Sequence, residues 1–139
     1  MTIVPTHDLV WVKRDDWENY RDKDHDELPK IPRGMRTVIQ DWDETFMNQD
    51  TQDFMEDHQL KSMSAFVYLA RGKVVITDRL HAHLMSTLLG IPNVVVNSRT
   101  RKQQNYYDTW EKSIETSACV DSATEAFQIA QNFITTLRL

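Results

Sequence analysis

The stretch VVITDRLHAHLMSTLLGIPNVVVN, Val74 to Asn97, is the most informative in the chain. Four β-friendly residues, Val74-Val75-Ile76-Thr77, lead into Asp78-Arg79-Leu80-His81-Ala82-His83. A short amphipathic helix then runs to Gly90 and Pro92, and a second apolar run, Val94-Val95-Val96, follows at once. Strand, turn, helix and strand in so short a span form a βαβ unit, which requires parallel strands and a crossover. Thr77 or Asp78 is placed to cap the helix, Leu80, Leu84 and Leu88 to hold its core face, and Gly90 to end it at positive φ. Arg79, His81 and His83 therefore fall at the carboxyl end of a strand and in the first turn of a helix. That is the edge where open α/β sheets bind ligands and where unpaired backbone N–H groups favour anions.

Working outward, Asn97-Ser98-Arg99-Thr100-Arg101-Lys102 is a polar, basic connection. A helix through Tyr106, Tyr107, Trp110 and Ile114 follows, its aromatic residues spaced as core. Ala118-Cys119-Val120 is a short last strand, and Asp121 or Ser122 caps a final helix with Ala126, Phe127, Ala130, Phe133, Ile134 and Leu137 inward. Upstream, Leu9-Val10-Trp11-Val12 reads as a buried strand ended by Lys13 and Arg14. Asp15 to Arg36 is crowded with charges and broken by Pro29, Pro32 and Gly34, which predicts an exposed loop. Thr37-Val38-Ile39-Gln40 is a second strand running into Asp41-Trp42-Asp43, and a helical stretch spans roughly Thr51 to Arg71. Strands alternating with helices predict one α/β domain over residues 1–139, a Rossmann-like, doubly wound parallel sheet of about five strands.

The chain has 139 residues, enough for one domain with its own core. Its net charge of −5 argues against a nucleic-acid binder, which needs a basic face. The single cysteine excludes an internal disulfide framework, and no run has the length of a membrane span. Three glycines, and no Walker, G-x-G-x-x-G or G-x-S-x-G pattern, leave little room for a nucleotide cradle or a nucleophile elbow.

The chemistry concentrates in two βα loops. Arg79 offers a planar fork for phosphate or carboxylate, and His81 or His83 adds a charge-assisted bond or a proton. The competing structural reading pairs Arg79 with Asp78 or a neighbouring helix and leaves the histidines as caps. In a parallel sheet the loop carrying Asn97, Ser98, Arg99, Arg101 and Lys102 emerges at the same edge, so its cations can meet Arg79 on one anion. Lys13 and Arg14 are a third basic group there. H-x-H diverges on a helix and lacks a third partner at metal spacing, so no metal site is expected. Asp41-Trp42-Asp43 matches a three-residue D-x-D metal pattern, for which strand end and helix cap is the plainer reading.

The same residues resemble a known family. VVITDRLHAHLMSTLLGIPNVVVNSRTRKQQNYYDTW is similar to the signature of the polysaccharide pyruvyl transferases: a strand, (S/T)-x-R-L-H, a helix, L-G-I-P, a strand, and a basic loop with Lys before an aromatic-rich helix. LVWVKRDDWEN and VIQDW resemble earlier pieces of that pattern, so the likeness runs from about Asp8 to Trp110. The resemblance implies a transferase of two Rossmann-like domains, similar to the GT-B glycosyltransferases, serving exopolysaccharide or cell-wall glycan synthesis. It would pass the pyruvyl group of phosphoenolpyruvate to a sugar hydroxyl pair as a ketal, the donor held by the carboxy-terminal domain. Carried over, Arg79 and His81 contact the donor and act in catalysis, Arg79 as an anion clamp and His81 as general acid or phosphate partner, with Lys102 a lesser candidate. His83, Arg101, Asn97 and Ser98 complete the expected substrate-binding set, with no cofactor beyond the donor substrate.

Two departures stand out. Ala82 replaces a glycine common after R-L-H, and Arg101 replaces a glycine that often precedes the lysine, which predicts a different loop path. Members are also considerably longer, so the chain is expected to be the carboxy-terminal half of an enzyme whose amino-terminal domain, or a second copy, completes the cleft around a glycan or lipid-linked sugar acceptor. The expected location is cytoplasmic, or the secretory lumen for a eukaryotic fragment. The competing assignments are a nucleotide-sugar glycosyltransferase half and a non-catalytic interaction module.

Overall fold

The computed structural model describes residues 4–13, 28–40, 64–98, 101–111 and 114–139. Five strands, β1 (His7–Val12), β2 (Thr37–Gln40), β3 (Gly72–Thr77), β4 (Asn93–Val96) and β5 (Ser117–Val120), form one sheet in the order β2-β1-β3-β4-β5. Every neighbouring pair is parallel. The expected α/β fold, with five strands, is present, and β2 has the predicted bounds. The other strands begin one or two residues early, because their first residues are short or polar and carry no apolar signal. Gly72, just past the helix that ends at residue 70, is the first residue of β3. A Cβ there would lie 2.9 Å from both Val10 Cγ2 and the Val74 carbonyl oxygen, so the close approach of β1 to β3 requires glycine.

Both faces of the sheet are covered, which is why its central strands are almost wholly apolar. Leu9, Trp11, Val74, Ile76 and Val94 point to one face, where Ala123, Ala126, Phe127 and Ala130 of α4 (Ala123–Thr136) pack on them. Ile31 and Met35, from the connection between β1 and β2, join that face. Val10, Val12 and Val75 point the other way, against Tyr68 and Leu69 of α1 (helical over residues 64–70) and Ala82 of α2 (Leu80–Leu88). The β1–β2 connection thus packs on one face, and α1 and α2, which carry the chain in the other direction along the sheet, pack on the opposite face, the arrangement of a doubly wound fold. At the amino edge Asp8 accepts the Arg36 N–H at 2.9 Å and pairs with Lys73 at 3.3 Å. These partners hold the Asp8 carboxyl below its usual range.

The helix ends follow local chemistry. Of the two residues expected to cap α4, Ser122 does so: its hydroxyl accepts the Glu125 N–H at 3.2 Å. Ser122→Ala should cost about 1 kcal/mol in urea unfolding; an unchanged midpoint would show that the cap contributes nothing. Gly90 takes φ +73° after α2, as expected, and Ile91 N–H closes the turn on the Ser86 carbonyl at 2.9 Å. The expected core face of α2 is a different one. Ala82, His83 and Ser86 are buried, Leu80 and Leu84 are half-buried, and Leu88 is 81% exposed. Ser86 tolerates burial because its hydroxyl donates to the Ala82 carbonyl at 2.8 Å. Among the described residues no helix is long and apolar enough to cross a membrane. The helix expected over Thr51 to residue 63, Arg14, residues 15–27 of the charged loop and Asp41-Trp42-Asp43 lie outside the described residues.

Candidate functional site

The chain turns one way from β1 to β2 and the other from β3 to β4, so the carboxyl ends of β1 and β3 flank a topological switch point. Lys13 follows β1 there, half-buried, and its N–H donates to the Gln40 carbonyl at 3.1 Å. Thr77, the last residue of β3, is fully buried and joins the two ends. Its hydroxyl donates to the Val12 carbonyl at 2.9 Å and accepts the Arg79 N–H at 3.0 Å. This corrects the expected cap of α2. Neither Thr77 nor Asp78 occupies the cap position; Arg79 does, with extended backbone (φ −92°, ψ 119°) and no capping side-chain bond. The cap residue's side chain leaves the first N–H groups of α2 unbonded by it, and no acidic residue lies in the first turn. Arg79 is half-buried beside them and His81 is exposed.

The loop after β4 meets this turn through a residue that sequence reasoning passed over. Gln103, the second residue of α3 (Lys102–Tyr106), is fully buried. Its Nε2 donates to the Asp78 carbonyl at 2.5 Å, while its Oε1 accepts the Ser98 N–H at 3.2 Å and the Ser98 hydroxyl at 2.8 Å. Asn97, also buried, donates to Gln104 Oε1 and to Asp121 Oδ1, each at 2.9 Å, and Arg101 pairs with Asp121 at 3.1 Å. Of the predicted set, Asn97, Ser98 and Arg101 thus share one polar layer across the ends of β4 and β5, and Gln103 joins that layer to the turn bearing Arg79. Arg101 adopts the left-handed conformation (φ 55°), the geometry a glycine favours, and makes a tight corner before α3. Lys102 follows it, half-buried.

His83 is placed differently. Its ring is fully buried and Nδ1 lies 2.5 Å from Asn93 Oδ1 at the amino end of β4. Asn93 in turn donates through Nδ2 to Thr87 Oγ1 (3.2 Å) and the Ile91 carbonyl (2.9 Å), which fixes its oxygen toward the ring and the proton on Nδ1. His83 pins α2 to the sheet; Arg79 and His81 stand at the helix mouth. Trp110, expected in the core, is 71% exposed, because the chain continues from α3 into a π-helical turn, Tyr107–Glu111. Tyr107 is held there by its hydroxyl, which donates to the Ser117 carbonyl at 3.1 Å. Arg99 lies outside the described residues. Among the described residues no three His, Cys, Asp or Glu side chains cluster as metal ligands.

Cys119 sits in the same polar layer, its Sγ 3.5 Å from Asn97 Oδ1 and 3.4 Å from Gln104 Oε1. Burial, then the Asp121 and Asp108 carboxylates, push its thiol from 9.0 up to about 12, with Arg101 opposing. The unfolded chain therefore loses this proton first. The contribution to stability is fully present below about pH 9 and is lost as the pH rises from there toward 12. At pH 8 the native thiol should react with an alkylating reagent at least about tenfold more slowly than the denatured one, because its smaller thiolate fraction outweighs the higher nucleophilicity of a raised-pKa thiolate. Equal rates would show that the layer does not shield it.

Three comparisons bear on this edge. The family model described as polysaccharide pyruvyl transferase matches residues 3–100. Pyruvyl transferase 1 of Schizosaccharomyces pombe is 39% identical over 92 residues, which is 63% of this chain and 23% of that protein. EpsO, a candidate pyruvyl transferase of Bacillus subtilis, is 31% identical over 61 residues, 44% of this chain and 19% of that protein. The aligned regions thus span less than a quarter of the length of either curated relative.

Proposed function

The chain belongs to the polysaccharide pyruvyl transferase family, and from that premise we propose that its carboxyl edge binds phosphoenolpyruvate and that the domain is the donor-binding, carboxy-terminal half of a GT-B-like enzyme. The observation that carries this reading is the pairing of Arg79 and His81 with the uncapped start of α2, beside the basic corner at Arg101 and Lys102. A small donor bearing both carboxylate and phosphate needs several cations and N–H donors within reach, and Arg79, His81, Lys102 and the first turn of α2 are the groups proposed to supply them.

In the proposed reaction the methylene carbon of the donor takes a proton, leaving an oxocarbenium-like carbon beside the carboxylate. A sugar hydroxyl attacks that carbon and gives up its proton, phosphate departs, and a second hydroxyl closes the ketal. The balance is donor plus diol to ketal plus inorganic phosphate, with no redox step. Arg79 clamps the carboxylate or phosphate, and His81 supplies the proton or a bond to the leaving phosphate. Lys102 adds charge beside them, and Asn97, Ser98 and Arg101 shape the loop. The acceptor, a glycan or lipid-linked sugar, is assigned to the opposite cleft wall, from another domain or a second copy of the chain.

An amide NMR titration of the 139-residue chain with phosphoenolpyruvate, with a UDP-sugar as control, tests the reading. Saturating shifts around Arg79–His83 and Asn97–Lys102 with the donor alone are expected. A response to the UDP-sugar alone would replace the reading with a nucleotide-sugar transferase half. No response to either, together with concentration-dependent association, would replace it with an interaction module.

A further inference from the structure

We propose that Gln103 is a positioning residue, a brace that holds the β3 loop and the β4 loop in one register so that Arg79 and Lys102 act on the same donor molecule; this rests on the donor-binding reading above. A fully buried glutamine is costly unless its amide is satisfied, and here both ends are used, on two different loops. The acceptor for Nε2 is the carbonyl of Asp78, one residue beyond the end of β3 and one residue before the cap of α2. The donors to Oε1 are the N–H and hydroxyl of Ser98, at the start of the basic loop. Asp78 and Gln103 are 25 positions apart in the chain, so this contact fixes α3 to the turn at Arg79 across a long stretch of sequence. Lys102 is the residue before Gln103, and Arg101, before that, makes the left-handed corner. Moving the Gln103 amide therefore moves the backbone of Lys102 relative to the mouth of α2.

The brace works through main-chain atoms on both loops, so its role is separable from contact with ligand. Gln103→Met keeps length and apolar bulk and removes the amide. Gln103→Glu restores the whole pattern only when its carboxyl is protonated, since the acid O–H then donates to the Asp78 carbonyl and the C=O accepts from Ser98. Ionised, the same side chain turns a negative oxygen on the Asp78 carbonyl. The ionisable groups of the two loops and of the elements packed against them include Asp78, Arg79, His81, Arg99, Arg101, Lys102, Cys119 and Asp121, and wild type measured at each pH carries their contribution.

The test uses the 139-residue chain and phosphoenolpyruvate as probe, with amide NMR maps taken with and without it. Gln103→Met should weaken binding about tenfold. It should shift amides in both Asp78–His81 and Asn97–Lys102, and make the effects of Arg79→Ala and Lys102→Ala on binding additive where they are coupled in wild type. Gln103→Glu should approach wild-type affinity as the pH falls and lose it as the pH rises while urea unfolding shows the fold intact across that range, a combination that a merely structural residue would not produce. Binding by Gln103→Met within twofold of wild type, shifts confined to α3, or a pH-independent ratio for Gln103→Glu would overturn the proposal. If Gln103→Met fails to fold, the Gln103→Glu profile decides. If wild type ignores phosphoenolpyruvate, the donor reading fails, and the ligand-free maps decide the brace: perturbation of both loops sustains it, and perturbation of α3 alone ends it.

Discussion

Arg79→Ala is expected to weaken phosphoenolpyruvate binding by roughly a hundredfold or more, because truncating one member of a charge-assisted pair in a partly desolvated site costs about 2–5 kcal/mol. The fold should be indifferent to the change. Arg79 belongs to neither apolar cluster, it is half-buried, and its N–H bond to Thr77 is made by the backbone and survives the substitution. Stability by urea unfolding should therefore stay within about 1 kcal/mol of wild type. The two readouts must be taken together. Lost binding with an unchanged midpoint places Arg79 in the site, whereas a large drop in midpoint would make it a structural residue and remove the anion clamp. Retained binding would move the donor away from the mouth of α2 altogether.

Trp11→Ala should have the opposite signature. Trp11 is 2% exposed in the middle of β1, packed among Leu9, Ile76, Val94 and the inner face of α4. Small residues at Ala123, Ala126 and Ala130 let that helix lie close to β3, β4 and β5, and Trp11 is the largest side chain of the same buried cluster. Truncating it should cost about 3–5 kcal/mol, a large share of the ~5–15 kcal/mol that holds a typical domain. Urea unfolding should show a midpoint far below wild type, or a chain already unfolded in buffer. A midpoint shifted by less than the Ser122→Ala change would mean that the indole does not anchor this core.

The contrast reflects what is legible in a sequence. The three inner strands β1, β3 and β4 were readable because a parallel strand buried on both faces is a continuous apolar run rich in β-branched residues, and Gly90 was readable because a helix stop has a steric signature. Ser122 was readable for the same kind of reason, since the bond it makes is local. Helix α2 was harder. Counting leucines put Leu80, Leu84 and Leu88 inward, but the buried face holds Ala82 with His83 and Ser86, two polar residues made tolerable by bonds to Asn93 and to the helix backbone. Those bonds appear only once the partner is in place. Trp110 misled in the other direction, because the π-helical turn moves it off the face that a regular helix would bury. At the candidate site, Arg79 and His81 announced themselves by charge and by position after a strand. Gln103 did not, because one glutamine in a polar stretch carries no pattern, and its role comes from two loops that the chain brings together from afar.

Thr77 and Gln103 share a habit with a further consequence. Thr77 bonds the Val12 carbonyl and the Arg79 N–H, and Gln103 bonds the Asp78 carbonyl and the Ser98 N–H. Those partners are backbone atoms, present whatever side chain the position carries. The scaffolding of the edge is thus written in a few residues, while the side chains that would meet a ligand, at 79, 81 and 102, hang from a frame that does not depend on them. Such an arrangement lets chemistry be exchanged without rebuilding the loops that present it, and it marks those three positions as the ones to vary when redesigning what the edge accepts.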